Sequence, residues 1–333
     1  MVRLSARGVL AAWVLAFAGF AAPALRAALP WHPVRLYNVD YVSAEEVAAR
    51  YGFKVVWLEG RDRVRLESKW TKIELKADSR EMIWNGLRVY LGEPVVPLRK
   101  TLGVSAGDVR ATLDPLVMPA SAKKPARPKI IALDAGHGGR DAGTANTRLK
   151  LQEKTFTLDV VRRLKIALEK LGYRTVLTRH SDKYIPLEAR PAAANRAGAD
   201  LFVSVHFNSL EGNAGVRGIE TYAYTPAGQR STASGKHSAK GERAQPGNRF
   251  DHWNILLAAS IQRQLVDDLG AEDRGVKRAR FLVLSTARCP AVLVEAGFLS
   301  STVEARKIAT PAYRDRMARS IANGVHRYVT LSE

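Results

Sequence analysis

Cysteine is nearly absent from this 333-residue chain. Cys289 stands alone, so no internal disulfide can form. A catalytic thiol would need a nearby base. Cys289 instead sits beside Pro290, ahead of the apolar run Ala291–Val294, which is the setting of a small buried hydrophobe. Acidic residues are also scarce: 32 Asp and Glu face 52 Lys and Arg, a formal charge of +20. A field of that sign attracts nucleic acid, an anionic membrane surface or an anionic envelope polymer. No recognition motif or basic–aromatic platform accompanies it, so nucleic acid is not an expected partner. Beyond the N-terminal segment no apolar run is long enough to span a bilayer. Internal repeats are missing too. What is there is 46% hydrophobic residues, enough for packed cores, in a length that fits about two domains.

The N-terminus carries Arg3 and Arg7, then the uncharged apolar run Gly8–Ala22, then the small residues Ala24, Ala27 and Ala28. That is the anatomy of a secretory signal over residues 1–28. The apolar run is shorter than the roughly 20 residues a membrane span needs. The mature protein is therefore expected to be exported without a stable membrane span, to the periplasm or cell envelope or beyond it.

Residues 34–116 read as a small α+β accessory domain. Ser43-Ala-Glu-Glu46 forms a capping box for a helix through Tyr51, stopped by Gly52. Strands follow at Lys54–Leu58, Arg63–Ser68 and Lys72–Lys76. Asn85-Gly86, between Met82-Ile83-Trp84 and Leu87–Tyr90, signals a tight hairpin. Val64, Leu66, Ile73 and Leu75 alternate as a buried face should. The pattern, with Trp57 and Val96-Pro-Leu98, resembles the N-terminal domain of copper amine oxidases. It contains no catalytic constellation, so binding or spacing is its expected role.

Residues 117–128 hold three prolines and three basic residues, the composition of a linker. From 129 to 330 strands and helices alternate. Strands are expected at Ile130–Asp134, Tyr173–Leu177, Leu201–His206, Gly218–Tyr224, Phe281–Leu284 and Ala291–Glu295. Helices are expected at Thr155–Leu171, Pro186–Ala197, Asn254–Leu269 and from Thr310-Pro311 onward. Such alternation predicts an α/β fold with a mixed sheet covered by helices on both faces. Gly228–Gly247 has almost no large apolar residue and reads as a surface loop.

Several segments end or follow a strand with a metal-type ligand. Ile131-Ala-Leu-Asp134 runs into a glycine-rich turn that presents His137. Glu153 opens the next helix. Ser204-Val-His206-Phe-Asn208 ends another strand on a histidine, and Val292-Leu-Val-Glu295-Ala-Gly297 ends a third on a carboxylate. Open α/β sheets place their sites at the carboxyl ends of strands. Taken singly, a strand-end histidine is often structural and a helix-start glutamate is often a cap. Together, two histidines and a glutamate make a zinc set with an open fourth position. Glu295 is the candidate for the group that moves the proton of the attacking water.

These motifs resemble those of zinc-dependent N-acetylmuramoyl-L-alanine amidases. The resemblance covers about Lys129 to Val329. Its motifs stand here as Leu133–Gly143, Gln152-Glu153-Lys154, Ser204–Asn208, Gly218-Ile-Glu220-Thr221 and Leu293–Ser300. It implies one zinc ion on His137, Glu153 and His206, with Glu295 as acid/base. It also implies peptidoglycan as substrate, and relatives of this kind leave room for an activator protein in the envelope. Ser209 and Ser301 depart from the usual alanine and asparagine, neither at a ligand position. Asp134 and Asp141 are candidates to orient the His137 turn, Glu220 and Asn208 to brace the site, and Arg179 to pair with a carboxylate or bind substrate. His180, His237, His252 and His326 match no motif. Some relatives plug their site with a helix in the connection that here is Thr225–Trp253. The first twenty residues of that connection lack an amphipathic period, so no plugging helix is expected. Two rival readings remain: a zinc peptidase cutting within the stem peptide, and a non-catalytic wall-binding protein.

Overall fold

A computed structural model describes residues 31–210, 212–213, 215–232 and 243–332. The expected signal at 1–28 lies outside them. Pro33–Glu333 folds as one unit. It opens with a small antiparallel sheet of Val34–Leu36, Val39–Ser43, Thr101–Ser105 and Val96–Leu98. Helix α1, Ala44–Tyr51, starts at the Ser43–Glu46 capping box and stops at Gly52, whose φ of 67° suits a residue without Cβ.

Five short strands follow: β1 (Lys54–Trp57), β2 (Arg63–Glu67), β3 (Lys72–Lys76), β4 (Glu81–Trp84) and β5 (Leu87–Tyr90). They form an antiparallel meander. Val64, Leu66, Ile73, Leu75, Met82 and Val89 are buried on one face of it.

The α/β part contributes β6 (Ile130–Ala135), β7 (Arg174–Leu177), β8 (Leu201–Asn208), β9 (Ile219–Tyr224), β10 (Asp273–Ala279) and β11 (Ala291–Phe298). Its helices are α2 (Glu153–Lys170), α3 (Ala189–Arg196), α4 (Asp251–Leu269), α5 (Leu282–Ser285), α6 (Thr302–Ile308) and α7 (Pro311–Ser332). Strands β6, β7, β8 and β11 are parallel, and β9 joins β11 antiparallel. Helices lie on both sides of the sheet. Gln262 of α4 reaches Thr221 on one face, while Leu284 of α5 and Ala194 of α3 pack with Phe202, Tyr222 and Leu293 on the other.

The two parts share one sheet. Its order is β7-β6-β8-β11-β9-β10-β5-β4-β3-β2-β1. The joint is the parallel pairing of Val89 with Val276, both fully buried. Arg88 reinforces it: its backbone N–H donates to Asp273 Oδ2 (2.7 Å) and its guanidinium to the Asp273 carbonyl (2.6 Å). An uncovered edge strand invites uncontrolled pairing. Here the accessory meander occupies that edge.

Two expectations are corrected. Phe281–Leu284 is not a strand: Leu282–Ser285 is a helical turn that buries Val283 and Leu284 between α3 and the sheet. The strand lies earlier, at Asp273–Ala279. Its sequence, DRGVKRA, shows little apolar alternation because its charged side chains are answered by Glu220 and by the accessory edge. The helix expected from Pro186 starts only at Ala189.

Candidate metal centre

Strand β6 ends in a turn that displays a histidine. His137 has φ 59°, Gly138 126° and Gly139 58°. L side chains rarely adopt such angles, whereas glycine does so freely. The turn is held from behind by Arg190, 1% exposed. Its guanidinium donates to the carbonyls of Ala135 (2.8 Å) and His137 (2.9 Å) and to Asp134 Oδ1 (2.9 Å). Asp134 is fully buried and also accepts from Thr178 Oγ1 (2.6 Å) and Ser204 Oγ (2.7 Å). It reaches His137 through Arg190 and makes no direct bond to the ring. Arg179 lies against the same turn. Its side chain is buried and donates to the carbonyls of Ala135 (2.9 Å), Gly136 (2.9 Å) and Lys154 (2.8 Å). Those bonds go to backbone oxygens, neither to a carboxylate nor outward to a substrate.

Glu153 is the first residue of α2 and is 3% exposed. Its Oε2 lies 3.0 Å from His137 Nε2, and its Oε1 3.0 Å from His206 Nδ1. The N–H groups of Thr144 (2.8 Å) and Phe207 (3.0 Å) donate to the same carboxylate. Ligand atoms of His137, Glu153 and His206 all fall within 4.8 Å of one another. Glycine permits this crowding. A Cβ on Gly136 would sit 2.3 Å from His206 Cε1, and one on Gly143 would sit 2.5 Å from Glu153 Oε2. His137 Nδ1 is 2.9 Å from Asp141 Oδ2. A carboxylate there fixes which ring nitrogen faces the cluster.

The electrostatics suit a divalent cation. Burial opposes ionisation of Glu153, but hydrogen bonds from His137 and His206 outweigh it and hold the carboxyl down at about 2. Burial likewise works against a charged His137, yet Glu153 and Asp141 raise its pKa. Two imidazoles and one carboxylate held towards its ionised form are a zinc-type donor set.

Three acid/base side chains form a row across the sheet. His206, Glu295 and Glu220 are register partners on β8, β11 and β9. Register partners project from the same face. Glu295 is partly buried, and its enclosed Oε2 has no hydrogen-bond partner among the described residues. Burial, then the charges of Glu153 and Glu220, push its carboxyl well above the usual range. Glu220 differs. Burial opposes its ionisation, but Lys277, Tyr222 and Arg274 more than compensate and keep its pKa low. Lys277 Nζ (2.6 Å) and Arg274 Nε (2.7 Å) donate to its Oε1, and Tyr222 Oη (2.6 Å) and Asn208 Nδ2 (3.2 Å) to its Oε2. Asn208 thus touches Glu220, not the metal-type donors.

Arg190, Arg274, Lys277 and Tyr222 escaped the sequence reading. Arg274 and Lys277 lie in the unrecognised strand β10. Arg190 had one signal, an arginine in the small-residue run Ala189–Ala194. Other residues stand apart from the site. His252 meets the Pro119 carbonyl and His326 meets Tyr173, each at 2.9 Å. His180 is exposed. His237 lies outside the described residues. Cys289 is buried, and burial pushes its thiol up to about 12, which works against a thiolate there. The Thr225–Trp253 connection is described only up to Thr232 and from Arg243. Gln229 is pinned against the accessory segment at Gly92 and Gly107, and Arg280 donates to its carbonyl (2.6 Å). The expectation of no plugging helix covers residues 225–244; half of them, 233–242, lie outside the described ones, and the described half holds no helix.

Comparison with known proteins supplies the context. The sequence profile described as N-acetylmuramoyl-L-alanine amidase matches residues 131–327. N-acetylmuramoyl-L-alanine amidase AmiC of Escherichia coli is 34% identical over 224 residues, covering 61% of this chain and 53% of that protein. The chain therefore spans about half of that relative's length. The structure of amidase AmiC2 of Nostoc punctiforme superposes with a TM-score of 0.51 at 28% identity, over 61% of this chain and 97% of that one. The CwlD amidase of Clostridioides difficile, solved in complex with the GerS lipoprotein, gives 0.50 at 26% identity, over 61% and 98%.

Proposed function

The chain belongs to the N-acetylmuramoyl-L-alanine amidase family, and on that premise we propose that it hydrolyses peptidoglycan with one zinc ion held by His137, Glu153 and His206. The bond cut joins N-acetylmuramic acid to the L-alanine of the stem peptide. A zinc ion there would supply a Lewis acid for the scissile carbonyl and acidify a water to about pKa 7. Glu295 takes the proton of the attacking water and returns it to the alanine nitrogen as the C–N bond breaks. The products are a muramic acid carboxylate and a free L-alanine amine. Asp141 orients His137, and Arg190 keeps the turn in its left-handed conformation. Glu220, neutralised by Lys277 and Arg274, closes the row beside Glu295.

The observation that carries this reading is the row His206–Glu295–Glu220 lying against the His137–Glu153–His206 cluster. Glu295 stands beside the donors as the register partner of His206, and no other described side chain occupies its enclosed oxygen. Residues 1–28 act as an export signal that places the enzyme in the periplasm or envelope. No helix among the described residues is long and apolar enough to cross a membrane. Residues 34–116, with their resemblance to the copper amine oxidase N-terminal domain, serve binding, residues 117–128 serve as linker, and residues 129–330 carry the catalysis. The complex of CwlD with the GerS lipoprotein supports a protein partner in the envelope for this chain as well, and an activator is the role we propose for it.

The test is digestion of purified peptidoglycan by residues 29–333, with zinc, with a chelator, and with Glu295→Ala. Intact stem peptides with a free L-alanine amine, lost on chelation and in the variant, support the amidase. Cuts inside the stem peptide sink it in favour of a zinc peptidase. Wall retention without any cleavage, even after envelope extract is added, favours a binding protein.

A further inference from the structure

The catalytic row continues beyond Glu220. Lys277 on β10 pairs with Tyr222 on the face that carries Glu220 and Glu295. Val89 pairs with Val276, so their neighbours Tyr90 and Arg88 project on the face of Lys277. Arg88 and Tyr90 lie across Gly275, where an added Cβ would meet Arg88 Cγ at 2.9 Å and Tyr90 Cε2 at 3.1 Å. The Lys277 ammonium sits 5.5 Å from the Tyr90 ring centroid. From there the registers carry the same face outward through Ile83 and Glu81, Glu74, Lys72 and Lys76, Arg63 and Arg65, to Lys54. No large apolar side chain apart from Ile83 interrupts this stretch of β2 to β4, and its lysines are exposed. Five strand spacings of about 4.8 Å separate β11 from β3, or about 24 Å.

The charge on that face is uneven. Glu67, Glu74 and Glu81 are answered by Arg65, Arg63 and Arg88. Lys54, Lys72 and Lys76 are left over, with no carboxylate at ion-pair distance among the described residues. Arg63, Glu74, Lys76, Glu81 and Ile83 line a shallow depression there. Opposite faces of the same strands are buried core.

We infer that the open face of the accessory meander is a docking surface for the peptidoglycan strand being cut, its three lysines meeting carboxylates of stem peptides next to the one in the metal centre. The inference rests on the amidase reading. Two observations favour this occupant. The surface is continuous with the reacting row, so a polymer held at one end must cross or leave it. Its surplus charge is positive, and stem peptides carry carboxylates.

The test uses the full chain after signal removal. Lys54→Gln, Lys72→Gln and Lys76→Gln are combined, with Lys170→Gln, Arg174→Gln and Arg327→Gln as a control of equal charge elsewhere. Binding is read by co-sedimentation with purified peptidoglycan stripped of other polymers, in a Glu295→Gln background. Cleavage is read in parallel on that polymer and on a single soluble disaccharide-peptide. The meander triple should weaken sedimentation about tenfold, and the control less than about twofold. At 0.5 M NaCl the difference should shrink, because salt screens exposed charges. Polymer cleavage should fall about tenfold while the soluble fragment changes less than about twofold. Undiminished sedimentation of the meander triple, or equal loss with the control, overturns the inference. Absence of cleavage by the unsubstituted enzyme would count against the amidase reading alone, and sedimentation would still decide the surface.

Discussion

Glu295 and Glu220 face each other as register partners on β11 and β9, yet their surroundings drive them in opposite directions. Lys277, Tyr222 and Arg274 hold the Glu220 carboxyl low against its burial, while burial and two neighbouring carboxylates hold Glu295 high. Two carboxylates pushed apart in this way fit the roles proposed for them, Glu220 as a fixed charge and Glu295 as a proton carrier.

The first prediction concerns stability. In metal-free protein the Glu295 pKa is raised above its unfolded value of about 4.3. Its contribution is therefore fully present below that value and is lost as pH rises through the folded pKa. Glu295→Gln cannot ionise. Its melting temperature should match the parent near pH 4 and exceed it by at least about 2 °C at pH 7–8. Thermal melts across pH check this, and a constant difference would refute it. The same variant should lose about 10²–10⁴ in kcat.

Asp141 fixes His137 through a 2.9 Å contact to Nδ1. Asp141→Asn should lower zinc affinity about 10- to 100-fold with little change in fold. Competition with a chromophoric chelator measures it. Unchanged affinity would mean the turn orients the ring without Asp141.

Gly136→Ala places a methyl 2.3 Å from the His206 ring. The imidazole must move. Zinc content after dialysis should fall to a small fraction of the parent, with a stability loss of about 1–3 kcal/mol. A variant that retains full zinc would show that the ring has room that the packing does not reveal.

Arg190→Met removes the buried partner of Asp134 and leaves a carboxylate without its ion pair. The expected cost is about 3–5 kcal/mol in urea unfolding. Double substitution of Arg190→Met with Asp134→Asn should recover part of it, because the stranded charge is gone. No recovery would mean that the bonds to the Ala135 and His137 carbonyls carry the effect.

Much of this was legible in the residues. Ser43–Glu46 and Gly52 bound α1, Asn85-Gly86 turns the β4–β5 hairpin, and apolar periodicity located β6, β8, β11, α2, α4 and α7, because these signals act over a few residues. Charge hid the rest. Strand β10 goes unrecognised, because Arg274 and Lys277 break its apolar alternation and are stabilised by a carboxylate on another strand. The apolar pair Val283-Leu284 reads as a strand, since a buried single turn and a buried strand share the same short pattern.

The sequence by itself determined the family motifs and the buried face of β2 and β3, since local backbone preference and hydrophobic alternation need no distant partner. Only the tertiary structure decided that His206, Glu295 and Glu220 share one row and that Arg190 stands behind the His137 turn. Nor could residues 34–116 reveal alone that their meander finishes the catalytic sheet. Lateral strand pairing joins Val89 to Val276 across 187 positions of chain, and backbone hydrogen bonds of that kind leave no mark on either sequence.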